Sequence, residues 1–149
     1  MSRPRLVLWA LLAAAASALV IERLIVTDQE AIESVLEEAA QDVVRGDDAA
    51  MTRRIVEDYD ERGKDRAALV KWAHDIWQRS QMRSLHVEVV ETKVSGDRAA
   101  ARIVVRPGPS FAGAPMGGLR LGGRIDLRRT HEGWRIEGVA PDDPSILAR

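Results

Sequence analysis

The stretch SLHVEVVETKVSGDRAAARIVVR, residues 84–106, alternates between apolar and polar side chains. Leu85, Val87 and Val89 therefore share one side of an extended chain, because successive side chains in a strand point to opposite faces. The triplet SGD at residues 95–97 is typical of a turn, and the alternation resumes after it. The stretch predicts a long antiparallel β-hairpin.

Two more strands are predicted after the hairpin. Residues 107–118 come first and contain three prolines and four glycines, which predicts an irregular loop that can act as a lid over a pocket. A third strand is predicted at about residues 119–130. A turn at Glu132-Gly133 then leads into a fourth strand that ends before Pro141.

The segment before the hairpin has helical periodicity instead. A T-x-x-E capping box at Thr27 predicts the start of a first helix, and Gly46 predicts its end. Asp47 is predicted to cap a short second helix that reaches Tyr59, and Asp65 to cap a third. Three helices followed by an antiparallel meander predict an α+β fold, with the helices packed on one side of a curved four-stranded sheet.

The first 26 residues predict a membrane segment. Arg3 and Arg5 precede 16 uncharged residues, Leu6 to Ile21. As a helix this run spans about 24 Å, slightly less than a hydrocarbon core of about 30 Å, and extension to Val26 would close the gap. We expect an uncleaved single-pass signal anchor, with the N-terminus cytoplasmic and the domain in the periplasm or outside the cell. A cleaved signal peptide is the alternative, since residues 16–18 read Ala-Ser-Ala.

Composition excludes several classes of function. The formal net charge is -1, so the chain has no overall attraction for nucleic acid, and no nucleic-acid partner is expected. Residues 27–65 carry 13 acidic and 5 basic side chains, whereas residues 66–140 carry 7 acidic and 13 basic ones. The chain has no cysteine, which excludes disulfides and thiol catalysis.

Two short motifs carry a resemblance to a known family. RGDDAAM at residues 45–51 follows the first helix, and EGWRI at residues 132–136 begins the last strand. With the order of elements, they make residues 27–140 similar to the nuclear transport factor 2-like, or SnoaL-like, superfamily. The resemblance implies a cystatin-like cone at residues 27–141, a flexible tail at 142–149, and a pocket between sheet and helices. It also implies possible homodimerisation through the sheet.

Catalytic members of that superfamily use an inward carboxylate as base and an acid such as tyrosine. The candidates for these roles here are Asp126, Tyr59 and His86. Asp126 shares a strand face with Arg124 and Arg128, which predicts either an ionised carboxylate in the pocket or a solvent-facing row of charges. No acid/base pair is recognisable, so the sequence leans away from an enzyme.

The remaining candidates are pocket-lining residues: Tyr59, Trp72, Trp77, Arg102 and Arg128. Trp72 and Trp77 share a helix face and form either a pocket wall or plain core. No histidine pair has the spacing of metal ligands, so no metal and no cofactor are expected. The first hypothesis is a membrane-anchored extracytoplasmic binding or interaction module. The alternative is a small-molecule isomerase or lyase acting on an apolar ligand in the same pocket.

Overall fold

A computed structural model describes residues 3–80, 83–108, 110–111, 114–115 and 120–143. The predicted α+β fold is confirmed. In chain order the elements are α1 (Arg3–Arg45), α2 (Asp48–Arg53), β1 (Asp60–Glu61), β2 (Lys64–Asp65), α3 (Arg66–Ser80), β3 (Leu85–Ser95), β4 (Arg98–Pro107), β5 (Ser110–Phe111), β6 (Ala114–Pro115), β7 (Leu121–Thr130) and β8 (Gly133–Pro141).

The main sheet is antiparallel, with strand order β3-β4-β7-β8. Ser95 pairs with Arg98 at the tip of the predicted hairpin, and Thr130 pairs with Gly133 at the next one. Register shifts at Val89/Glu91 and Asp126/Leu127 mark irregularities that bend strands. The alternation of apolar residues therefore predicted the sheet correctly.

The proline- and glycine-rich segment is not wholly irregular. Its described part contains the short pair β5–β6, in which Phe111 lies opposite Ala114. Residues 109, 112–113 and 116–119 lie outside the described residues, as do residues 144–149 of the tail. The proposed lid and the flexible tail accordingly stay predictions.

Helix α1 is one uninterrupted element of 43 residues, so the predicted helix start at Thr27 is wrong. No glycine or proline occurs between Leu6 and Arg45, and nothing in the local sequence stops the helix from running through residue 27.

Residues 1–26 were predicted to form a membrane helix. Among the described residues, no helix is long and apolar enough to cross a membrane.

Asp28 fastens α1 to the sheet. Its carboxylate accepts hydrogen bonds from Arg129 at 2.5 Å and from the indole N–H of Trp134 at 3.4 Å. The Arg129 guanidinium lies over the Trp134 ring, 4.7 Å from its centroid. The helix is thus held against the β7–β8 turn from this residue onward.

The other helix ends follow from their capping residues. Gly46 ends α1 with a φ of 67°, a conformation that glycine adopts without a side-chain clash. The carboxylates of Asp47 and Asp65 accept from the N–H of Ala50 at 2.9 Å and of Ala68 at 2.8 Å. Both predicted caps are confirmed.

Helix α2 ends at Arg53, well before Tyr59. The chain turns instead to pair with β8, where the Arg54 carbonyl accepts from Ile136 N–H at 2.8 Å and Val56 N–H donates to the Ile136 carbonyl at 3.0 Å. The backbone bonds that a longer helix would make internally are made to the sheet.

The core lies between the helices and one face of the sheet, the inner face. Ile32 and Leu36 of α1 pack with Ala101 of β4 and Leu127 of β7, all of them buried. Burial alternates along β4 and β7, so the outer face carries the intervening polar residues. This layering leaves a cavity toward the α3 end of the core.

Candidate functional site

An apolar space of about 280 Å³, here called the inner cavity, lies between the helices and the inner face. Its helical wall comes from α1 and α3, through Leu36, Ala39, Ala40, Val43, Leu69, Trp72, Ala73, Ile76 and Trp77. Its sheet wall includes Leu85, Val87, Ile103, Val105, Ile125 and Ile136. Such a volume lies near the lower end of the range for small-molecule pockets.

Helical spacing explains why α3 supplies so much of this wall. Leu69, Trp72, Ala73 and Ile76 recur at intervals of three and four residues, which places them on one side of the helix. Ala73 is the smallest of them. Its side chain is a single methyl group, so it fills less of the space between helix and sheet than the other three side chains do.

The inner cavity has almost no ionisable lining. Arg124 is the one charged residue among its described lining residues, and its side chain is 60% exposed and bonded to Asp126 at 3.1 Å. No carboxylate, imidazole or phenol belongs to the described lining. The buried indole nitrogen of Trp72 has no hydrogen-bond partner among the described residues.

A second space of about 300 Å³, the outer cavity, adjoins the first. The two share Leu69, Trp72, Val139, Ala140 and Pro141. The outer cavity also has polar lining residues, namely Tyr59, Glu61, Arg62 and Lys64. Arg62 and Lys64 are exposed, and this solvent-facing polar side of the outer cavity is here called the mouth.

Tyr59 and Glu61 form a bonded pair at this mouth. The phenol O–H donates to Glu61 Oε2 at 2.9 Å, and the Val139 N–H donates to the same oxygen at 3.1 Å. Burial raises the pKa of the Tyr59 phenol, and its hydrogen bond to Glu61 raises that pKa further. The phenol is therefore neutral, with its proton directed at the carboxylate.

The β1–β2 hairpin supplies the polar side of the mouth. Its central residues, Arg62 and Gly63, have φ values of 54° and 78°, as a type I′ turn requires. The Asp60 carboxylate accepts from Gly63 N–H at 2.9 Å. This tight turn fixes where Glu61 and Lys64 stand beside the cavity.

The predicted pocket-lining roles of Arg102 and Arg128 need correction, because both lie on the outer face of the sheet. Arg102 pairs with Asp142 at 3.5 Å, and Arg128 binds Asp58, with Nη1 3.1 Å from Oδ2. The hydrogen bond from Arg128 lowers the pKa of the Asp58 carboxyl. Strand alternation explains the error, since the apolar neighbours of these arginines take the inner face.

The three catalytic candidates are not brought together. Asp126 accepts from Arg124 on the outer face, and His86 is exposed on the outer side of β3, opposite Arg106. Tyr59 alone is on the inner side, where it is 5% exposed. The solvent-facing row of charges is thus the interpretation of Asp126 that fits.

Glu61 is the site residue that sequence reasoning missed. It lies in a short polar stretch that predicted only a turn around Arg62 and Gly63. The two-residue spacing of Tyr59 and Glu61 was the available signal, because such residues face the same side of an extended chain.

No group of three His, Asp or Glu side chains that could hold a metal occurs in the described parts of the chain.

Three helices on one face of a four-stranded antiparallel sheet, with a cavity between the layers, define a protein of the nuclear transport factor 2-like, cystatin-like fold. Comparison with solved structures confirms this fold. A nuclear transport factor 2-like protein with a cystatin-like fold from Novosphingobium aromaticivorans superposes with a TM-score of 0.57 at 22% identity, covering 89% of this chain and 94% of that one.

Two other solved structures give the same result. A protein of unknown function from Mycobacterium tuberculosis has a TM-score of 0.62 at 16% identity, over 87% of this chain and 86% of that one. A proposed dehydratase from the nuclear transport factor 2-like family of Streptomyces avermitilis has a TM-score of 0.57 at 17% identity, over 76% of this chain and 93% of that one. No family model and no curated protein matches the sequence.

Proposed function

We propose that this chain is a binding module that takes a small, uncharged, apolar molecule into the inner cavity. The supporting observation is the lining itself, which is apolar on both the helical and the sheet wall and includes Trp72 and Trp77. Removing apolar surface from water drives such binding, at roughly 25 cal/mol per Å². A charged ligand is disfavoured, because the one charged residue of the described lining, Arg124, is already paired with Asp126.

Filling the cavity tests this proposal. Ala73→Phe places a ring in the space beside α3, and we expect it to abolish binding of ten-carbon bicyclic probes such as decalin and 2-decalone, measured by ligand-observed NMR. Ala67→Phe is the matched control, because Ala67 is exposed on the same helix. Binding to the wild-type chain and the control, with loss only in Ala73→Phe, is the expected pattern. Unchanged binding to Ala73→Phe contradicts the proposal.

An isomerase or lyase is a second candidate function, and the Tyr59–Glu61 pair is the observation in its favour. A neutral phenol and a carboxylate stand 2.9 Å apart at the mouth of the same cavity system. General acid/base chemistry needs groups of these two types. The inner cavity offers no such pair among its described residues, so binding is the better-supported role. The test is proton exchange or isomerisation of a bound ketone. If the wild-type chain catalyses either reaction and Glu61→Gln abolishes it, the enzyme becomes the better-supported role.

We also propose that residues 1–26 attach the domain to a membrane, with the domain in the periplasm or outside the cell. Support comes from the flanking Arg3 and Arg5 and from the uncharged run between Leu6 and Ile21. Val20 and Ile21 are 57% and 56% exposed, an arrangement that burial in lipid would relieve.

Membrane fractionation of the full chain, together with a variant that lacks residues 1–26, tests the attachment. We expect the full chain to sediment with membranes after carbonate washing and the shortened chain to stay in the supernatant. N-terminal sequencing of the membrane fraction distinguishes an intact anchor from cleavage after Ala18. Recovery of the full, uncleaved chain in the supernatant contradicts the proposal.

A further inference from the structure

Arg62 lies at the mouth of the outer cavity, in the tight turn between β1 and β2. The ionisable side chains that line this cavity within the described residues are Tyr59, Glu61, Arg62 and Lys64. Tyr59 is neutral, Glu61 is negative, and the other two are positive. The described lining of the outer cavity therefore has an excess of positive charge.

The backbone of Arg62 has a conformation that arginine rarely adopts. Its φ of 54° is the one positive value at a residue other than glycine in the part of the chain that the structure describes. A left-handed backbone costs free energy for any residue with a β-carbon, and a type I′ turn favours Asn, Asp or Gly at its first central position. The turn alone thus gives no reason for an arginine, and the role has to come from its side chain.

No acidic side chain pairs with the Arg62 guanidinium within the described residues. This side chain is exposed and forms neither an ion pair nor a hydrogen bond with another of them. The sequence has no Asp or Glu outside the described ranges, so no acidic side chain there can be its partner. An anion in the outer cavity therefore meets a cation that no bonded carboxylate neutralises.

We propose that the ligand extends from the inner cavity into the outer one and ends in a single anionic group, such as a carboxylate, that pairs with Arg62. This inference rests on the proposed binding function and extends its ligand, whose part within the inner cavity remains apolar and uncharged. The guanidinium presents parallel N–H groups that match the two oxygens of a carboxylate. The two cavities meet along the residues that line both of them: Leu69, Trp72, Val139, Ala140 and Pro141.

The mouth is the part of the two cavities where an anionic group costs least. Because Arg62 is exposed, a carboxylate bonded to it keeps part of its hydration, whereas in the inner cavity the same group would lose its water. An ion pair at an exposed site is weak, so most of the affinity has to come from burial of the apolar part. We expect the pair with Arg62 to strengthen binding roughly three- to fivefold.

The test compares decanoate with 1-decanol, which share a ten-carbon chain and differ in the group at its end. At about pH 7 the carboxyl group is ionised. We expect Arg62→Asn to weaken decanoate binding roughly three- to fivefold and to leave 1-decanol binding unchanged, as measured by ligand-observed NMR. Asparagine adopts a left-handed backbone more readily than arginine, so the urea midpoint of this variant should not fall below that of the wild type.

Two further variants separate the proposed pair from general effects of charge and folding. Arg66→Gln is the matched control, because it removes the same charge four positions away at a residue that is not among the described lining of either cavity. We expect it to leave the ratio of the two affinities as in the wild type. Glu61→Gln removes the one negative charge of the described lining and should strengthen decanoate binding relative to 1-decanol, a gain that misfolding cannot produce.

A wild-type ratio of the two affinities in Arg62→Asn, or an equal loss in Arg66→Gln, overturns the inference and leaves the binding function in place. Binding of 1-decanol without decanoate by the wild-type chain does the same. Full decanoate affinity in Ala73→Phe also overturns the inference, because the ligand would then not extend into the inner cavity. Failure of decalin, 1-decanol and decanoate alike to bind overturns the binding function itself.

Discussion

Tyr59 has its ionisation set by its surroundings. Its side chain is buried, and its O–H is held by Glu61, so the protonated phenol is favoured in the folded protein. An unfolded chain places the same phenol in water, where its pKa is about 10. The folded protein therefore binds this proton more tightly than the unfolded chain does.

This difference predicts alkaline instability. The folded-state pKa is raised, so the contribution of Tyr59 to stability is complete below about pH 10 and is lost as the pH rises above it. Tyr59 is the one tyrosine in the chain, so ultraviolet absorbance of tyrosinate reports this residue directly. We expect no tyrosinate in the folded protein at about pH 10.5 and a normal titration in denaturant.

A folded chain whose tyrosine titrates at the ordinary value would show that Tyr59 is open to water. Glu61→Gln serves as the comparison, since it keeps an acceptor oxygen but removes the negative charge. We expect the phenol to ionise at lower pH in that variant than in the wild type, because the charge of Glu61 is one of the causes of the raised pKa.

For single residues, the alternation along the sequence predicted correctly which face of the sheet each side chain takes. The alternation around Asp126 separated Arg124 and Arg128 from Ile125 and Leu127, and the structure keeps that separation. It did not give the partner of each charge, because Asp58 meets Arg128 across 70 positions of sequence. Long-range pairs of this kind depend on the assembled fold.

Among the elements, the end of α1 is joined to the segment after α2 by a buried carboxylate. The Asp42 side chain is 1% exposed and binds Arg54 at 2.6 Å and Arg45 at 2.5 Å. Arg54 also pairs with Glu38 at 2.6 Å and offers its carbonyl to β8. One carboxylate thus stabilises the contact of two helices with the sheet.

We expect Asp42→Ala to lower the free energy of unfolding by about 3 kcal/mol, because it leaves the partly buried Arg54 without its buried partner. Arg45→Ala removes the other partner of the same carboxylate. The Arg45 side chain is 62% exposed, so we expect a loss below about 1 kcal/mol. Urea denaturation of both variants measures the difference. If both variants lose the same free energy of unfolding, the burial of Asp42 is not the reason that Asp42→Ala destabilises the protein.

Element boundaries were predictable where a local bond sets them. The caps at Asp47 and Asp65 depend on residues three positions away, and both were predicted. The end of α2 was not, since it depends on pairing with Ile136, a contact across about eighty residues that no local pattern reports. A capping box at Thr27 also misled, because a favourable cap sequence does not stop a helix whose preceding residues are helical too.

For the whole molecule, the order of helices and strands was enough to predict the layered architecture. Period-two alternation gave the strands, and turn residues gave their antiparallel connection. The cavity could not be predicted from the same signals. Trp72 and Trp77 at helical spacing fit a filled core as well as an open wall, and only packing in three dimensions shows that space remains beside Ala73.

The unbroken course of α1 has a mechanical consequence. A flexible tether would let the domain tumble freely, but a helix behaves as a rod, and its first 25 residues measure about 38 Å. Asp28 clamps that rod to the β7–β8 turn, so there is no swivel between the beginning of the chain and the body of the fold. A membrane or partner that holds the N-terminal end of α1 therefore also sets the direction in which the cavity mouth faces.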